Sequence, residues 1–292
     1  MQDLKNNKLI GFIGTGVMGA SMARNLQKHG YELSIYTRTK AKAESLLAEG
    51  MKWQTSPAAL AKDVDIVITM VGYPRDVEQV YLGENGVLAT KVGGAVIDMT
   101  TSSPRLAQKI YEAAKAKGIA ALDAPVSGGD IGAKRGRLAI MVGGDEEAFH
   151  SLLPVFSAMG ETIQHFGAAG SGQHAKMCNQ IAIASNMMGV AECLAYADKA
   201  GLDANTLLSV ITKGAAGSWS LANLAPRMVA GDMKPGFYIK HFIKDMRIAL
   251  EEADAMGLDL PGLALAKKLY DQLATQGKEN LGTQALLRYY MP

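Results

Sequence analysis

The chain has few of the residues that mark secreted, metal-binding or nucleic-acid-binding proteins. Its 292 residues include two cysteines, Cys178 and Cys193, and five scattered histidines without the spacing of a metal site. We therefore expect no metal, and we expect both cysteines to be small buried thiols rather than a disulfide. The net charge is only +2 and no basic stripe alternates with aromatic residues, which excludes nucleic acid as a partner.

Long hydrophobic runs are also missing. A membrane helix needs about 18 consecutive apolar residues. The longest candidate, residues 181–197, is interrupted by Ser185, Asn186 and Glu192. The first eight residues are polar, and the apolar stretch behind them enters a glycine-rich turn, which is not the pattern of a signal peptide. The sequence therefore predicts a cytoplasmic protein without a membrane partner.

Glycine is the residue in excess, with 32 of 292 residues, whereas ordinary proteins have roughly 7%. Nine prolines and the lack of a repeat exclude collagen and a low-complexity linker. Glycine usually lies where the backbone turns tightly or approaches another group. Gly93–Gly94 and Gly143–Gly144 are predicted to be ordinary turns, and the other clusters are candidates for binding sites.

The hydrophobic pattern changes once along the chain, near residue 168. Strands alternate with helices before that point, which predicts a Rossmann-like α/β domain at residues 1–168 with a doubly wound, mostly parallel sheet. The predicted strands are 8–13, 32–36, 66–70, 95–98, 119–123, 138–142 and 161–165. Residues 169–292 are predicted to form an all-helical domain, joined to the first by a long helix. The predicted helices are 173–200, 204–213, 220–230, 239–256, 261–276 and 283–290. Apolar faces on six helices predict a homodimer or homotetramer.

The strongest motif lies between the first predicted strand and the first predicted helix. It reads Gly14-Thr15-Gly16-Val17-Met18-Gly19. In this pattern the first glycine permits a tight turn, the second lets a pyrophosphate approach the backbone, and the third lets helix pack on strand. The position predicts dinucleotide binding at the N-terminus of the helix. The alternative is a turn that serves packing only.

The end of the second strand predicts which nicotinamide cofactor binds. An NAD site places Asp or Glu there, but this chain has Thr37, Arg38, Thr39 and Lys40, and no acidic residue between Glu32 and Glu44. A guanidinium can hold a 2′-phosphate with two hydrogen bonds. The sequence therefore favours NADP over NAD. The alternative is that Arg38 stacks on the adenine and both cofactors bind.

Two further segments are candidates for a substrate site. Ser127, Gly128 and Gly129 follow a strand at its carboxyl end, where α/β sheets bind ligands, and they could hold a carboxylate or simply form a turn. Lys176 lies about one turn into the long helix, with Asn179 and Gln180 on the same face. Most helical lysines are solvated, but the apolar neighbours of Lys176 favour a side chain that points into an interior cleft.

The chain resembles the β-hydroxyacid dehydrogenases, a family typified by 3-hydroxyisobutyrate dehydrogenase and tartronate semialdehyde reductase. The resemblance rests on five segments in the order and spacing of the family. They are GFIGTGVMG at 11–19, DMTTSSP at 98–104, DAPVSGG at 123–129, GSGQHAKMCNQ at 170–180 and IKDM at 243–246. Many members have a second asparagine at the position of Gln180, which leaves the identity of the substrate open.

The resemblance implies a role for each matching residue. Lys176 would be the catalytic acid/base, and Ser127, Gly128 and Gly129 would bind the carboxylate of a small substrate. Asn179 and Gln180 would lie beside that substrate. On the cofactor side, the resemblance implies that Met70, Val71 and Thr101 line the nicotinamide and that Lys244 reaches over the cofactor.

The implied reaction is hydride transfer between NADP(H) and a small β-hydroxy acid or semialdehyde. Imine reductases share this architecture but usually replace the lysine, and phosphogluconate dehydrogenase has a much larger helical domain. A catalytically silent nucleotide sensor is the alternative from another class. Trp219 and Phe237 are weaker candidates for closing the substrate pocket, with core packing as their alternative.

Overall fold

The computed structural model describes residues 9–90 and 92–291, which form two compact units that divide between Lys176 and Met177. Lys8, where the sequence predicts the first strand to begin, lies outside the described residues, as does the rest of the polar start. The sequence-based boundary between residues 168 and 169 stays a prediction.

The first unit alternates strands and helices, as predicted. Its strands are β1 (Leu9–Ile13), β2 (Glu32–Tyr36), β3 (Lys52–Trp53), β4 (Ile66–Thr69), β5 (Ala95–Asp98), β6 (Ala120–Asp123), β7 (Val126–Ser127), β8 (Leu138–Gly144) and β9 (Gly160–His165). Its helices are α1 (Val17–Lys28), α2 (Glu44–Ala48), α3 (Pro57–Lys62), α4 (Pro74–Leu82), α5 (Pro104–Lys115), α6 (Gly129–Arg135) and α7 (Glu146–Ser157). Short 3-10 helices span Lys40–Ala43 and Val87–Ala89.

The sheet confirms the doubly wound prediction. Six parallel strands run in the order β3-β2-β1-β4-β5-β6. β8 pairs antiparallel with β6 and β7, and β9 pairs parallel with β8. The winding reverses between β1 and β4, and a ligand crevice is expected at the carboxyl ends of the strands at such a point.

Alternating side chains give the sheet a hydrophobic core on each face. In β1, Ile10 and Phe12 belong to the core on one face, whereas Ile13 belongs to the core on the other. In β4, Ile66 and Ile68 lie on the first face and Val67 on the second. Because successive side chains of a strand point to opposite faces, both faces must be covered by helices.

The second unit is helical, also as predicted. α8 (Ser171–Lys199) begins in the first unit and continues into the second. The remaining helices are α9 (Ala204–Ile211), α10 (Trp219–Asn223), α11 (Ala225–Val229), α12 (Ile239–Ala255), α13 (Pro261–Thr275) and α14 (Leu287–Tyr290), with a 3-10 helix at Thr283–Leu286. The single helix predicted at 220–230 is wrong, since α10 and α11 meet at Leu224. Pro226 has no N–H to continue the helix and its ring crowds the preceding turn.

The expectation that both cysteines are buried is wrong. Both are free thiols, but Cys178 is exposed and Cys193 is half-buried. The buried face of α8 in the second unit follows helical spacing, through Met177, Ala184, Met187, Val190, Ala191 and Leu194. Cys178 lies one position beyond Met177 and therefore turns away from this buried face. No helix within residues 9–90 and 92–291 is long and apolar enough to cross a membrane.

Candidate active site

The glycine turn between β1 and α1 has the geometry of a nucleotide site. Gly14 has a φ of +98°, and its N–H donates to the carbonyl of Tyr36 at 2.8 Å. A Cβ on Gly14 would overlap the carbonyl of Met70, and one on Gly19 would overlap the carbonyl of Gly14. By contrast, a Cβ on Gly16 would have no heavy atom within 4 Å. Gly14 and Gly19 are therefore required by packing, whereas the backbone at Gly16 is left open to a ligand.

A buried hydroxyl in the same turn supports this interpretation. Thr15 is 5% exposed, and its Oγ1 has no hydrogen-bond partner among the residues that the structure describes. Buried polar atoms are normally hydrogen-bonded, and a bound phosphate would supply the missing partner. Val17 is exposed and Met18 packs partly against the core. The turn fits a dinucleotide.

Arg38 follows β2 beside this turn. Its side chain is 78% exposed, and its Nη1 lies 3.2 Å from Oδ1 of Asp76, in the first turn of α4. Thr37 is half-buried and Thr39 is exposed. Sequence reasoning found no acidic residue near Arg38 because Asp76 follows a different strand. The signal that could have found it is its place in the first turn of α4, the helix that follows β4, since β4 ends at the same edge of the sheet as β2.

The residues predicted to line the nicotinamide lie close to the glycine turn. Met70 follows β4 and donates its N–H to the carbonyl of Ile13 at 2.9 Å. The N–H of Val71 donates to Oγ1 of Thr100 at 3.0 Å. Thr101 follows directly and is half-buried. The structure therefore joins the loop after β4 to the loop after β5, beside Gly14.

A buried carboxylate organises the loop after β5. Oδ1 of Asp98 accepts from Oγ1 of Thr69 at 2.7 Å and from the N–H of Thr100 at 3.1 Å. Because Thr69 gives its hydroxyl proton to Asp98, the hydroxyl of Tyr81 donates to Thr69, at 3.0 Å. Burial raises the pKa of Asp98 to about 6, although the hydrogen bonds from Thr69 and Thr100 work in the opposite direction.

This raised pKa predicts a pH-dependent stability. An acid with a folded pKa of about 6 and an ordinary pKa of 3.8 binds its proton more tightly in the fold. Its stabilising contribution is full below about pH 4 and is lost as the pH rises through about 6, a change of about 3 kcal/mol. We expect urea unfolding to show the free energy of wild type falling relative to Asp98→Asn across that window.

Asp203 provides a control of opposite sign. Hydrogen bonds from Thr206 lower the pKa of this exposed carboxyl, so its contribution is lost as the pH falls. The free energy of unfolding of wild type should therefore rise relative to that of Asp203→Asn as the pH rises. A difference between wild type and Asp98→Asn that stays constant with pH would contradict the assignment.

The predicted carboxylate-binding segment begins with β7. Ser127 is half-buried at the end of β7 and pairs with Ala139 of β8. Gly128 and Gly129 have φ values of +127° and +62°, which residues with a side chain rarely adopt. Gly128 is exposed, and the helix α6 follows. Both the carboxylate site and the simple turn stay open as predictions for this segment.

Asp123 joins this segment to the start of α8. Its Oδ1 accepts from the N–H of Gly170 at 2.7 Å, and its Oδ2 accepts from the N–H of Gln173 at 2.8 Å. These N–H groups belong to a helix N-terminus, where they have no partner within the helix. Burial raises the pKa of Asp123 above its ordinary value, and the backbone hydrogen bonds work against that rise. Asp123 thus caps α8 from β6.

Gly143 makes this cap possible. A Cβ there would lie 2.7 Å from both Oδ1 of Asp123 and the N of Gly172. The prediction that Gly143–Gly144 is an ordinary turn is therefore wrong. The pair ends β8, and its bare backbone lets the start of α8 approach the sheet.

Lys176 lies in the second turn of α8 and is 6% exposed. Lysine is almost never buried to this degree without a structural or functional reason. This burial excludes the alternative of a solvated surface lysine, and the interior cleft stays a prediction. Its catalytic role stays a prediction.

The candidates of the helical unit form a group of their own. Nδ2 of Asn179 donates to Oε1 of Gln180 at 2.7 Å, and Nε2 of Gln180 donates to Oδ2 of Asp245 at 2.6 Å. Lys244 is buried, and its Nζ forms an ion pair with Oδ1 of Asp245 at 2.9 Å. Lys244 and Asp245 are adjacent in the chain, and this contact does not have the geometry of a hydrogen bond. The predicted contacts of Asn179, Gln180 and Lys244 with substrate and cofactor stay predictions.

Sequence reasoning gave no role to Asp245, which connects Gln180 with Lys244. The signal that could have pointed to Asp245 is its place in the segment IKDM, next to Lys244. Among the weaker candidates, Phe237 packs partly against the helical core and meets the ring of Phe242 edge-on at 5.7 Å. This contact favours the packing alternative. Trp219 is 66% exposed, so it does not belong to that core.

The doubly wound sheet and the glycine turn at its switch point define a dinucleotide-binding domain. Two families match the chain. The NAD-binding domain of 6-phosphogluconate dehydrogenase matches residues 9–167. The NAD-binding domain of NADP-dependent 3-hydroxyisobutyrate dehydrogenase matches residues 170–290.

Full-length relatives agree with these matches. An uncharacterized oxidoreductase of Bacillus subtilis is 62% identical, over 97% of this chain and 99% of its own length. A probable mitochondrial 3-hydroxyisobutyrate dehydrogenase-like protein of Arabidopsis thaliana is 50% identical, over 97% of this chain and 85% of its own length. The solved 3-hydroxyisobutyrate dehydrogenase of Mycobacterium tuberculosis, determined with L-serine, is 32% identical. It aligns with a TM-score of 0.88 over 97% of this chain and 98% of that one.

The chain therefore belongs to the β-hydroxyacid dehydrogenase family, in the group of 3-hydroxyisobutyrate dehydrogenase. It is a hydroxyacid dehydrogenase that depends on a nicotinamide cofactor.

Proposed function

We propose that the protein transfers hydride between NADP(H) and a small β-hydroxy acid or its semialdehyde, with Lys176 as the general acid and base. The observation that supports this most directly is the buried Lys176, on a helix whose start is held by Asp123. Asp123 also begins the segment that leads to Ser127. Asp123 therefore connects the start of α8, the helix that carries Lys176, with the segment that leads to Ser127.

The lysine has a definite task in each direction. A nicotinamide held beside the glycine turn, by the loops after β4 and β5, would supply the hydride chemistry at the substrate carbon. In reduction, the Lys176 ammonium donates a hydrogen bond to the carbonyl oxygen, stabilises the negative charge that develops there and delivers its proton. In oxidation, the neutral amine takes the hydroxyl proton.

A carboxylate on the substrate would bind at Ser127, Gly128 and Gly129. The hydroxyl of Ser127 and backbone without side chains can donate hydrogen bonds to an anion. The tuberculosis relative was determined with L-serine, a β-hydroxy carboxylate, which supports this substrate class.

The direct test is NADPH oxidation, followed at 340 nm, with glyoxylate and with succinic, methylmalonic and tartronic semialdehydes. We expect turnover with at least one of the semialdehydes. A cyclic imine serves as the comparison. Reduction of the imine without reduction of any semialdehyde would contradict the proposed function.

The preference for NADP is proposed on the side chain of Arg38. Its guanidinium is exposed beside the glycine turn, and a 2′-phosphate could replace or join Asp76 as its partner. Thr37 and Thr39 add hydroxyl donors on either side. The carboxylate of Asp76, whose Oδ1 lies 3.2 Å from Nη1 of Arg38, would repel the phosphate, and the guanidinium between them would offset that repulsion.

We expect Arg38→Ala to lower the ratio of kcat/KM for NADPH to kcat/KM for NADH by about tenfold or more. The reason is that hydrogen bonds to charged groups contribute about 1.5–3 kcal/mol. Arg24→Ala is the matched control, because Arg24 is also partly exposed and forms an ion pair with Glu49 at 2.7 Å. An unchanged ratio in Arg38→Ala would show that Arg38 does not select the cofactor.

A further inference from the structure

Gln173 is a polar side chain to which the proposed mechanism gives no task, yet it is completely buried. Its Oε1 accepts from the N–H of Ser102 at 2.9 Å, and its Nε2 donates to the carbonyl of Thr100 at 2.8 Å. The orientation of the amide is unambiguous, because the N–H needs an acceptor and the carbonyl needs a donor. One amide therefore satisfies two buried backbone groups.

These two backbone groups flank Thr101. The carbonyl of Thr100 belongs to the peptide group before Thr101, and the N–H of Ser102 belongs to the peptide group after it. Gln173 therefore holds the backbone of Thr101 from both sides. The same loop is held at Thr100 by Asp98 and by the N–H of Val71.

The other end of Gln173 belongs to the helix of the catalytic lysine. Its N–H donates to Asp123, which caps α8, and Lys176 follows three residues later. Residues three apart on a helix are neighbours on its surface. A single residue thus connects the backbone of Thr101 with the helical turn of Lys176.

We propose that Gln173 is a positioning residue that fixes Thr101, and with it the nicotinamide half of the cofactor, relative to Lys176. The inference rests on the proposed function and on the role that the family resemblance implies for Thr101, which is to line the nicotinamide. Gln173 does not itself contact the reacting atoms. Its task is to keep the nicotinamide, which exchanges the hydride, at a fixed distance from Lys176, which exchanges the proton.

Binding can test this without turnover. Gln173→Met keeps the length of the side chain and removes both hydrogen bonds. We expect calorimetric titration to show NADP⁺ binding weakened roughly tenfold, a change of about 1.4 kcal/mol. Adenosine 2′,5′-bisphosphate, which lacks the nicotinamide, should bind within about twofold of wild type, since the glycine turn and Arg38 are unchanged.

Gln173→Glu adds a rescue by pH. A protonated carboxyl can accept from Ser102 and donate to Thr100, as the amide does, whereas a carboxylate would face the carbonyl of Thr100 with no proton to donate. We expect NADP⁺ affinity and kcat of this variant to approach wild type near about pH 5 and to match Gln173→Met near about pH 8. The titratable groups on the neighbouring elements, Asp98, Asp123, His174 and Lys176, are common to all variants, and wild type corrects for them.

Asn25→Asp is the matched control. Asn25 is 6% exposed and donates from Nδ2 to the carbonyl of Ala133 at 2.7 Å, so this change also places a carboxyl against a buried carbonyl. It should lower the thermal midpoint without changing NADP⁺ affinity in the folded protein.

Two results would overturn the positioning role: unchanged NADP⁺ affinity in Gln173→Met, or equal weakening of NADP⁺ and adenosine 2′,5′-bisphosphate. If Gln173→Met does not fold, the pH dependence of Gln173→Glu decides in its place. Failure of wild type itself to bind NADP⁺ would instead overturn the proposed function, and the positioning role with it.

Discussion

Lys176→Ala is expected to lower kcat by at least about a hundredfold, the lower end of what general acid–base catalysis contributes. The substitution removes the only group assigned to donate the proton to the substrate oxygen. It leaves the glycine turn and Arg38 intact, so the dissociation constant for NADPH should stay within about twofold. Initial rates of NADPH oxidation and fluorescence titration of NADPH measure the two quantities separately.

Two further variants make this result interpretable. Lys176→Met fills most of the space of the buried side chain, so a low kcat there cannot be due to a cavity. Lys199→Ala removes an exposed lysine from the last turn of the same helix and should leave kcat unchanged. Normal turnover in Lys176→Ala would refute the role of the lysine.

The same role predicts a pH profile for the oxidation. An ordinary lysine has a pKa of about 10.4, so the neutral amine that oxidation requires becomes more abundant as the pH rises. The wild-type rate should increase from neutral to alkaline pH, and Lys176→Ala should lose that increase. A flat wild-type profile would contradict proton transfer to Lys176.

Gly16→Val is expected to raise the NADPH dissociation constant by about a hundredfold, or about 2.7 kcal/mol. A Cβ at Gly16 has open space and the backbone is extended, with φ −71° and ψ −170°, so the fold should tolerate the side chain. The space that it fills is the space assigned to the pyrophosphate. The thermal midpoint should therefore stay near that of wild type while cofactor binding is weakened.

Gly19→Ala gives the contrasting result. Its Cβ would overlap the carbonyl of Gly14, so this substitution should destabilise the fold, and reduced binding would follow from that. Equal NADPH affinity in Gly16→Val and wild type would show that the phosphates bind elsewhere.

Features with a strong local pattern could be predicted from the sequence. The parallel strands are short apolar runs between helical segments, and the glycine turn has an ordered spacing, so both were found. The burial of Lys176 followed from its apolar neighbours. Each of these depends on residues close together in the chain.

Features that depend on distant contacts were missed. β3 has two residues, too few for a period, and α6 contains two glycines that disfavour a helix. α6 forms because it packs against α1, where Asn25 reaches the carbonyl of Ala133. The roles of Asp98 and Asp123 could have been inferred, because each ends an apolar strand and they are partners in the parallel register of β5 and β6.

The most direct test of the proposed reaction compares two aldehydes of similar size, one with a carboxylate and one without. NADPH oxidation by wild type should be measured with succinic semialdehyde or tartronic semialdehyde, and with butanal. Ser127, Gly128 and Gly129 are assigned to the carboxylate. With butanal, the hydrogen-bond donors of these residues would have no partner. We therefore expect kcat/KM to be at least about a hundredfold higher for the better semialdehyde. Equal kcat/KM for the two kinds of aldehyde would contradict a hydroxyacid substrate held at these residues.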